Sequence, residues 1–438
     1  MANTKVTRSQ STAGNRNKWT FSAWVKRTST GAEEAILCVY YNASYYTEIG
    51  FTSGDQINFF DLYNGALNGR RRTNALARDC NGWWHIVGVF DKDNSTTDEK
   101  IRLWVNGVKI EGALASQQQS SISYSSNLNS AGQTVTLGAK NNASYFNGIM
   151  SHVHFCDGYA YDASYFGSTD STTGEWKINT SPSVTYGTQG YHILKDGNSV
   201  TDSSTNSNNF TVGGGTLTKT EDCPSNVFST FNSLTEFSGN GMSAGNLKFT
   251  NSTSTYSMRH STLAVTTGKW YAEFKMTQMS GGFSQVGIQD TTQFNYDTFL
   301  ANSSRAYAYL KDGNKRNHNS TSSYGNTFDT GDIIGVAVDL DNNKLYFSKN
   351  GVWQNSGDPT SGSTGTGSAF NITDGYDYCI GVSSNDEGTD QIIDANFGNG
   401  YFGTTAVSSA GTNASGNGIF EYNVPAGFTA LSTTGLNT

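Results

Sequence analysis

The sequence predicts an all-β protein made of two antiparallel β-sandwiches. One strand–turn–strand pattern occurs twice, roughly 245 residues apart, in otherwise dissimilar halves. Its first copy runs Val87-Gly88-Val89-Phe90-Asp91, a polar turn through Asp98, then Ile101-Arg102-Leu103-Trp104-Val105-Asn106-Gly107-Val108. The second runs Ile334-Gly335-Val336-Ala337-Val338-Asp339, a turn over Asp341-Asn342-Asn343, then Leu345-Tyr346-Phe347-Ser348-Lys349-Asn350-Gly351-Val352. Each copy joins a β-branched run to an alternating aromatic strand and closes on Asn-Gly, the pair that most readily takes the two positive φ values of a type I′ turn. Composition points the same way. Only 15% of residues are charged, against roughly 25% in an average soluble protein, and aromatics reach 13%. A chain rich in Gly, Ser, Thr and Asn has the turns that β-structure needs, and Leu- and Glu-rich helical stretches are missing.

Along the chain, residues 1–18 are polar and carry Lys5, Arg8, Arg16 and Lys18 with no acidic residue, which predicts an N-terminal arm. A first sandwich is expected over 19–156, beginning with Trp19-Thr20-Phe21-Ser22-Ala23-Trp24-Val25 and continuing through strands near 35–41, 46–51, 56–60, 83–90, 101–105, 133–137 and 148–155. Alternation in 83–90 puts Trp83, His85, Val87 and Val89 on one face and Trp84, Ile86 and Phe90 on the other, so both faces are apolar and the strand is central. From 157 to 235 the pattern weakens into polar pieces and Gly213-Gly214-Gly215, which predicts a connector with local turns and a domain boundary. The second sandwich is expected over 236–400, announced by Lys269-Trp270-Tyr271-Ala272-Glu273-Phe274, and 401–438 reads as an extended Gly-rich segment with one strand.

Several function classes lose support at this stage. A net charge of -8 lacks the cationic footprint of nucleic-acid binding, and the one basic run, Arg70-Arg71-Arg72, reads as a solvated loop or as partners for nearby carboxylates. Apolar runs have strand length, so no membrane insertion is expected, and no secretory h-region follows Met1. Five scattered cysteines, odd in number and without a C-x-x-C pair, read as free thiols of a protein made in a reducing cytoplasm. The spacing Asp339-x-Asp341 falls in a hairpin turn, where Asp serves backbone geometry rather than glycosidase chemistry. His152-x-His154 lies on one predicted strand and lacks a third metal ligand. His85, His192, His260 and His318 have no Ser or Cys partner in a recognisable elbow, and Gly213-Gly214-Gly215 has no phosphate-binding context. No catalytic residue, metal or cofactor is expected.

The residues resemble known families. Trp19-Thr20-Phe21-Ser22-Ala23-Trp24-Val25-Lys26, Gly82-Trp83-Trp84-His85-Ile86-Val87-Gly88-Val89-Phe90-Asp91 and Leu103-Trp104-Val105-Asn106-Gly107-Val108 resemble the laminin-G-like, concanavalin-A-like jelly roll. Residues 268–274, 286–288, 331–353 and 395–398 resemble a SPRY domain, with motifs falling in order at suitable spacing. Together the two cover about three quarters of the chain. The order of parts, with the bridge motifs at 166–177 and 222–234 and the ending at 420–436, resembles virion structural proteins of tailed bacteriophages, particularly marine ones. That resemblance implies a virion-located, non-enzymatic appendage, a fibre or capsid decoration made in the host cytoplasm. Its expected partners are other virion proteins, copies of itself as a homo-oligomer with a trimer as first guess, and a host-surface glycan or protein. Only ten residues precede the region 11–24, so an edge strand that such proteins carry is expected to be missing or supplied by a neighbouring subunit.

Tyrosines near polar loops are the expected contact residues, because a phenol offers flat apolar area and a hydrogen-bonding tip at little entropic cost. Tyr40, Tyr41, Tyr45 and Tyr46 surround Asn42-Ala43-Ser44, and Tyr307, Tyr309 and Tyr324 surround a loop with Lys311 and Asp312. A purely architectural capsid, neck or tail protein and a carbohydrate-active enzyme on the first sandwich are the alternatives; the enzyme needs a carboxylate pair in a cleft.

Overall fold

In the computed structural model both copies of the repeated pattern form the same three-stranded meander. Trp84–Asp91 pairs with Ile101–Val105, which returns through Asn106 and Gly107 (φ 47° and 79°) to Val108–Lys109. Ile333–Asp339 pairs with Lys344–Lys349, which returns through Asn350 and Gly351 (φ 49° and 78°) to Val352–Trp353. Both turns take the positive φ values that Asn-Gly tolerates best. The structure describes residues 3–80, 82–111, 121–195, 199–233, 240–279, 282–294, 298–318, 320–385 and 388–436. The chain divides into two units, 1–219 and 220–438.

The first unit has two facing sheets. One is seven-stranded, in the order Thr211–Gly214, Lys5–Gln10, Gln133–Leu137, Glu34–Asn42, Tyr45–Phe51, Gln56–Tyr63, Ala66–Leu76. Its partner is six-stranded, in the order Tyr191–Ile193, Gly148–Asp157, Lys18–Arg27, Trp84–Asp91, Ile101–Val105, Val108–Lys109. Alternation sends Trp19, Phe21, Ile49, Phe59, Ile86 and Phe90 into the core between them. Val87 and Val89 face the other way and are covered by Ala163 and Phe166, so the strand is central as expected and apolar on both faces.

Two sequence expectations are corrected in this unit. Residues 1–18 are not an arm: Lys5–Gln10 is an interior strand of the large sheet, with Val6 in the core, and the edge strand thought missing is supplied by the chain itself as Thr211–Gly214. All four of its cations are used internally. Lys5 bonds Asn142, Arg8 donates to Gln189 Oε1 at 2.7 Å, Arg16 donates to the Ser126 carbonyl at 2.8 Å, and Lys18 pairs with Asp91 at 3.4 Å. Nor is 157–235 a connector. Its first part covers the six-stranded sheet, Tyr191–Ile193 and Thr211–Gly214 extend one sheet each, and Phe228 and Phe231 are buried in the second unit. Short polar pieces hid these roles because one buried aromatic, such as Phe166 or Phe210, anchors each without any periodic pattern.

The second unit packs a nine-stranded sheet on a six-stranded one, with Phe274, Met276, Val286, Ile288, Ile334, Val336 and Phe347 in the core. Residues 401–438, expected as an extended segment with one strand, lie across the outer face of the larger sheet. Phe420, Val424 and Phe428 pack on Tyr271, Ala337 and Tyr346, and Thr429–Ala430 runs parallel to Trp270 and Tyr271. Four cysteines, Cys38, Cys80, Cys156 and Cys379, are buried and none of the five is in a disulfide. Among the described residues no helix is long and apolar enough to cross a membrane.

Candidate binding surface of the first unit

The hairpins Glu34–Asn42/Tyr45–Phe51 and Gln56–Tyr63/Ala66–Leu76 end side by side, joined by the Gly65 amide donating to the Ser44 carbonyl at 2.9 Å. Each tip is set by local chemistry. Asn42 Oδ1 accepts from the Ser44 amide at 2.8 Å, and Asn64-Gly65 takes φ 53° and 76°. Four tyrosines form a row across these tips. Tyr41 stands edge-on to Tyr45 (centroids 6.4 Å apart), Tyr45 edge-on to Tyr63 (5.2 Å), and Tyr63 stacks on Tyr124 (3.7 Å). Tyr41 is 65% exposed and Tyr124 49% exposed. A small groove of about 140 Å³ runs beside Tyr41 and Tyr45, lined also by Val39, Asn127, Ser130 and Gln133.

A buried polar hub fixes the row. Asp61 accepts from Thr47, from Asn68 Nδ2 at 2.8 Å and from the Asn127 amide at 3.1 Å, and burial raises its pKa against these bonds. Asn68 in turn accepts from the Ser123 and Tyr124 amides at 3.1 and 3.0 Å and donates to the Tyr124 carbonyl at 2.9 Å. Loop 121–127 is thereby held where Tyr124 meets Tyr63.

Behind the row, the outer face of the seven-stranded sheet carries Tyr40, Tyr46 and Phe60, with Tyr46 5.5 Å from Tyr40 and 5.2 Å from Phe60. Lys140 lies over the Tyr46 ring at 5.2 Å and bridges Glu33 (2.8 Å) and Glu48 (3.1 Å). A groove of about 550 Å³ on this face is lined by Glu33, Glu48, Asn58, Phe60, Leu62, Leu67, Arg70 and Arg72 among others. The basic run is therefore not a loop. Arg70 and Arg72 face this groove, while Arg71 faces inward and donates to the Asp98 carbonyl at 2.8 Å.

Of the residues singled out in the sequence, Tyr40, Tyr41, Tyr45 and Tyr46 come together here. Tyr307, Tyr309 and Tyr324 do not form an exposed cluster: they are core residues of the second unit, at 5%, 0% and 8% exposure, and only their hydroxyls reach polar partners. Alternation on Ala306–Leu310 turns Tyr307 and Tyr309 inward together. Lys311 pairs with Asp329 at 3.7 Å, and Asp312 caps its turn through the Asn314 amide at 3.0 Å. Tyr63 could have been found from the Asn64-Gly65 turn that follows it; Tyr124 lies in irregular chain with no sequence signal.

Chemistry elsewhere in the unit is closed off. Ser22 Oγ lies 2.9 Å from His85 Nε2, a contact the sequence did not suggest. The Trp176 indole donates to His85 Nδ1 at 2.9 Å, so Nδ1 is the acceptor and Nε2 carries the proton. His85 therefore donates to Ser22 and cannot act as its base, and burial depresses its pKa to about 3. His152 and His154 do not share a strand face: a bulge with His152 at φ 48° separates them. His154 stacks on His192 at 3.9 Å and bonds the Tyr186 hydroxyl at 2.9 Å. Among the described residues no three His, Cys, Asp or Glu side chains are placed to hold a metal. In the second unit, Asp339 accepts from the Asn342 amide at 3.0 Å and Asp341 from the Gly268 amide at 2.8 Å, the turn roles expected of them.

Comparison with known proteins assigns the two units. Residues 2–164 match the concanavalin A-like lectin/glucanases superfamily, and residues 269–387 match the SPRY domain. The chain joins a concanavalin A-like domain to a SPRY domain. Among solved structures, the SPRY domain of human HERC1 is 17% identical, covering 34% of this chain and 87% of that one, with a TM-score of 0.27. Another human SPRY domain is 14% identical over 36% and 96% of the two chains, with a TM-score of 0.27. The PSpry domain of TRIM65 is 10% identical over 38% and 91%, with a TM-score of 0.29.

Proposed function

We propose that the protein is a non-enzymatic virion appendage of a tailed bacteriophage, a fibre or capsid decoration, whose concanavalin A-like domain binds a host-surface glycan or protein. The observation that carries the binding reading is the row Tyr41, Tyr45, Tyr63 and Tyr124, held across two hairpin tips by Asp61 and Asn68. Rings preset in this way lose little freedom when a ligand stacks on them. The phage assignment rests on the resemblance of the order of parts.

The two carboxylates that face one cleft, Glu33 and Glu48, argue against glycoside hydrolysis. Both are bonded to the ammonium of Lys140, whose pKa they raise, so the space between them is taken by a fixed cation. A glycosidase needs that space for the scissile bond and one carboxyl free to give up a proton. Assembly into a homo-oligomer, a trimer as the first guess, would multiply weak contacts into useful avidity. Antibody against the protein should label phage particles in a lysate at an exposed position, and excess free protein should slow particle adsorption to cells. Unlabelled particles would overturn the virion assignment, and unchanged adsorption would overturn the host-binding role.

A further inference from the structure

We infer that the groove on the outer face of the seven-stranded sheet selects an acidic saccharide, with Arg70 and Arg72 holding the sugar carboxylate. This rests on the binding reading above and names its ligand class. Arg70 and Arg72 sit two residues apart on Ala66–Leu76, so both point to the outer face while Arg71 is committed inward to Asp98. Their cross-strand neighbours are Phe60 and Asn58, and Asn58 Oδ1 accepts from Arg72 Nε at 3.2 Å, which orients that guanidinium. The two cations are close enough that Arg70 lowers the pKa of Arg72, a repulsion that a bound anion relieves. Glu33 and Glu48 are both held by Lys140, so the groove region carries three cations against two carboxylates in a chain of net charge -8.

The rest of the lining fits a sugar. Phe60, Leu62 and Leu67 give an apolar floor for the C–H face of a pyranose, and Leu62 pairs across the sheet with Tyr46, next to Tyr45 of the tyrosine row. A volume of about 550 Å³ lies in the range of small-ligand sites. Guanidinium forks match the planar, two-oxygen geometry of a carboxylate. A long polyphosphate such as nucleic acid would meet an acidic protein with no extended basic track.

The test is a calorimetric titration of the full-length protein with tetragalacturonate, with its methyl ester as the uncharged arm and a sulfated heparin tetrasaccharide as the other anion. We expect the acid form to bind about tenfold more tightly than the ester, with affinity falling as salt rises. R70Q/R72Q should abolish that preference, and R70K/R72K should restore only part of it because the ammonium lacks the fork. Both arginines lie on an outer sheet face, and R70Q alone carries the same test if the double variant does not fold. Equal binding of acid and ester, tighter binding of the sulfated sugar, or a preference that survives in R70Q/R72Q would overturn the inference. Y124A separates it from the broader reading. If Y124A weakens acid and ester alike while R70Q/R72Q changes nothing, the tyrosine surface stands and the arginine assignment falls; if no saccharide binds, both saccharide readings fall.

Discussion

Asn68 uses both ends of its amide to hold Asp61 and the backbone of Ser123 and Tyr124. Truncating it in N68A leaves buried partners of Asp61 and Tyr124 unsatisfied, so the domain should lose about 1–3 kcal/mol, read by urea denaturation. Stacking of Tyr124 on Tyr63 should loosen at the same time. The buried histidines give a second residue-scale prediction. Burial holds His85 to a pKa of about 3 and His154 well below its ordinary value, the latter helped by His192 and His152. Both folded pKa values lie below the unfolded one, so the unfolded chain binds more protons as pH falls through 6.5, and stability present above that pH is lost toward about 3. H85F should flatten part of this slope in a pH series of melts. Residue roles were only half legible in the sequence. Asn42 and Asn64 are turn-formers that the residue types announce, but the same tyrosine pattern gave an exposed rim at 40–46 and a buried core at 307 and 309. Periodicity tells which residues share a face and not what covers it.

At the scale of elements, the clearest departure is Lys5–Gln10. Its six residues are polar except Val6 and were read as an arm, yet they bond Gln133–Leu137 on one side and Thr211–Gly214 on the other. Strand pairing is a backbone property, and a partner more than 200 residues away leaves no local trace in sequence. Deleting residues 2–18 should therefore unfold or strongly destabilise the concanavalin A-like domain, visible as loss of one calorimetric transition while that of the SPRY domain persists. The closing segment of the chain has a comparable anchor. Buried Glu273 accepts from the Glu421 and Tyr422 amides at 2.8 and 2.9 Å, and burial raises its pKa to about 7 despite these bonds. A carboxyl raised from 4.5 to about 7 on folding favours the native state below pH 4.5 and loses that contribution as pH rises through 7. E273Q should remove this slope from the SPRY-domain transition and, by opposing an amide NH₂ to one backbone N–H, cost about 1–3 kcal/mol. The strands themselves were well announced: both Asn-Gly meanders have the turn that their residues demand.

For the whole molecule, the division at 219/220 lies later than the weak-pattern region beginning at 157 suggested. Thr211–Gly214 is paired and Phe210 is buried, so first cleavage by a dilute protease belongs between about 215 and 221. Two resistant fragments should follow, and early cleavage within 199–210 would contradict the pairing. The two-sandwich architecture was readable because each core advertises itself through aromatic alternation; the layers laid over those cores, at 157–186 and 401–436, were not. The central claim is that the tyrosine row of the concanavalin A-like domain binds a surface ligand. Its most direct test is the binding of full-length protein and of Y41A/Y63A/Y124A to an array of bacterial surface saccharides and to intact cells. Wild type should bind at least one saccharide, and the triple variant, folded by circular dichroism, should bind it at least about tenfold more weakly. Equal binding by the two proteins, or no binding of wild type to any saccharide or cell, would contradict the account.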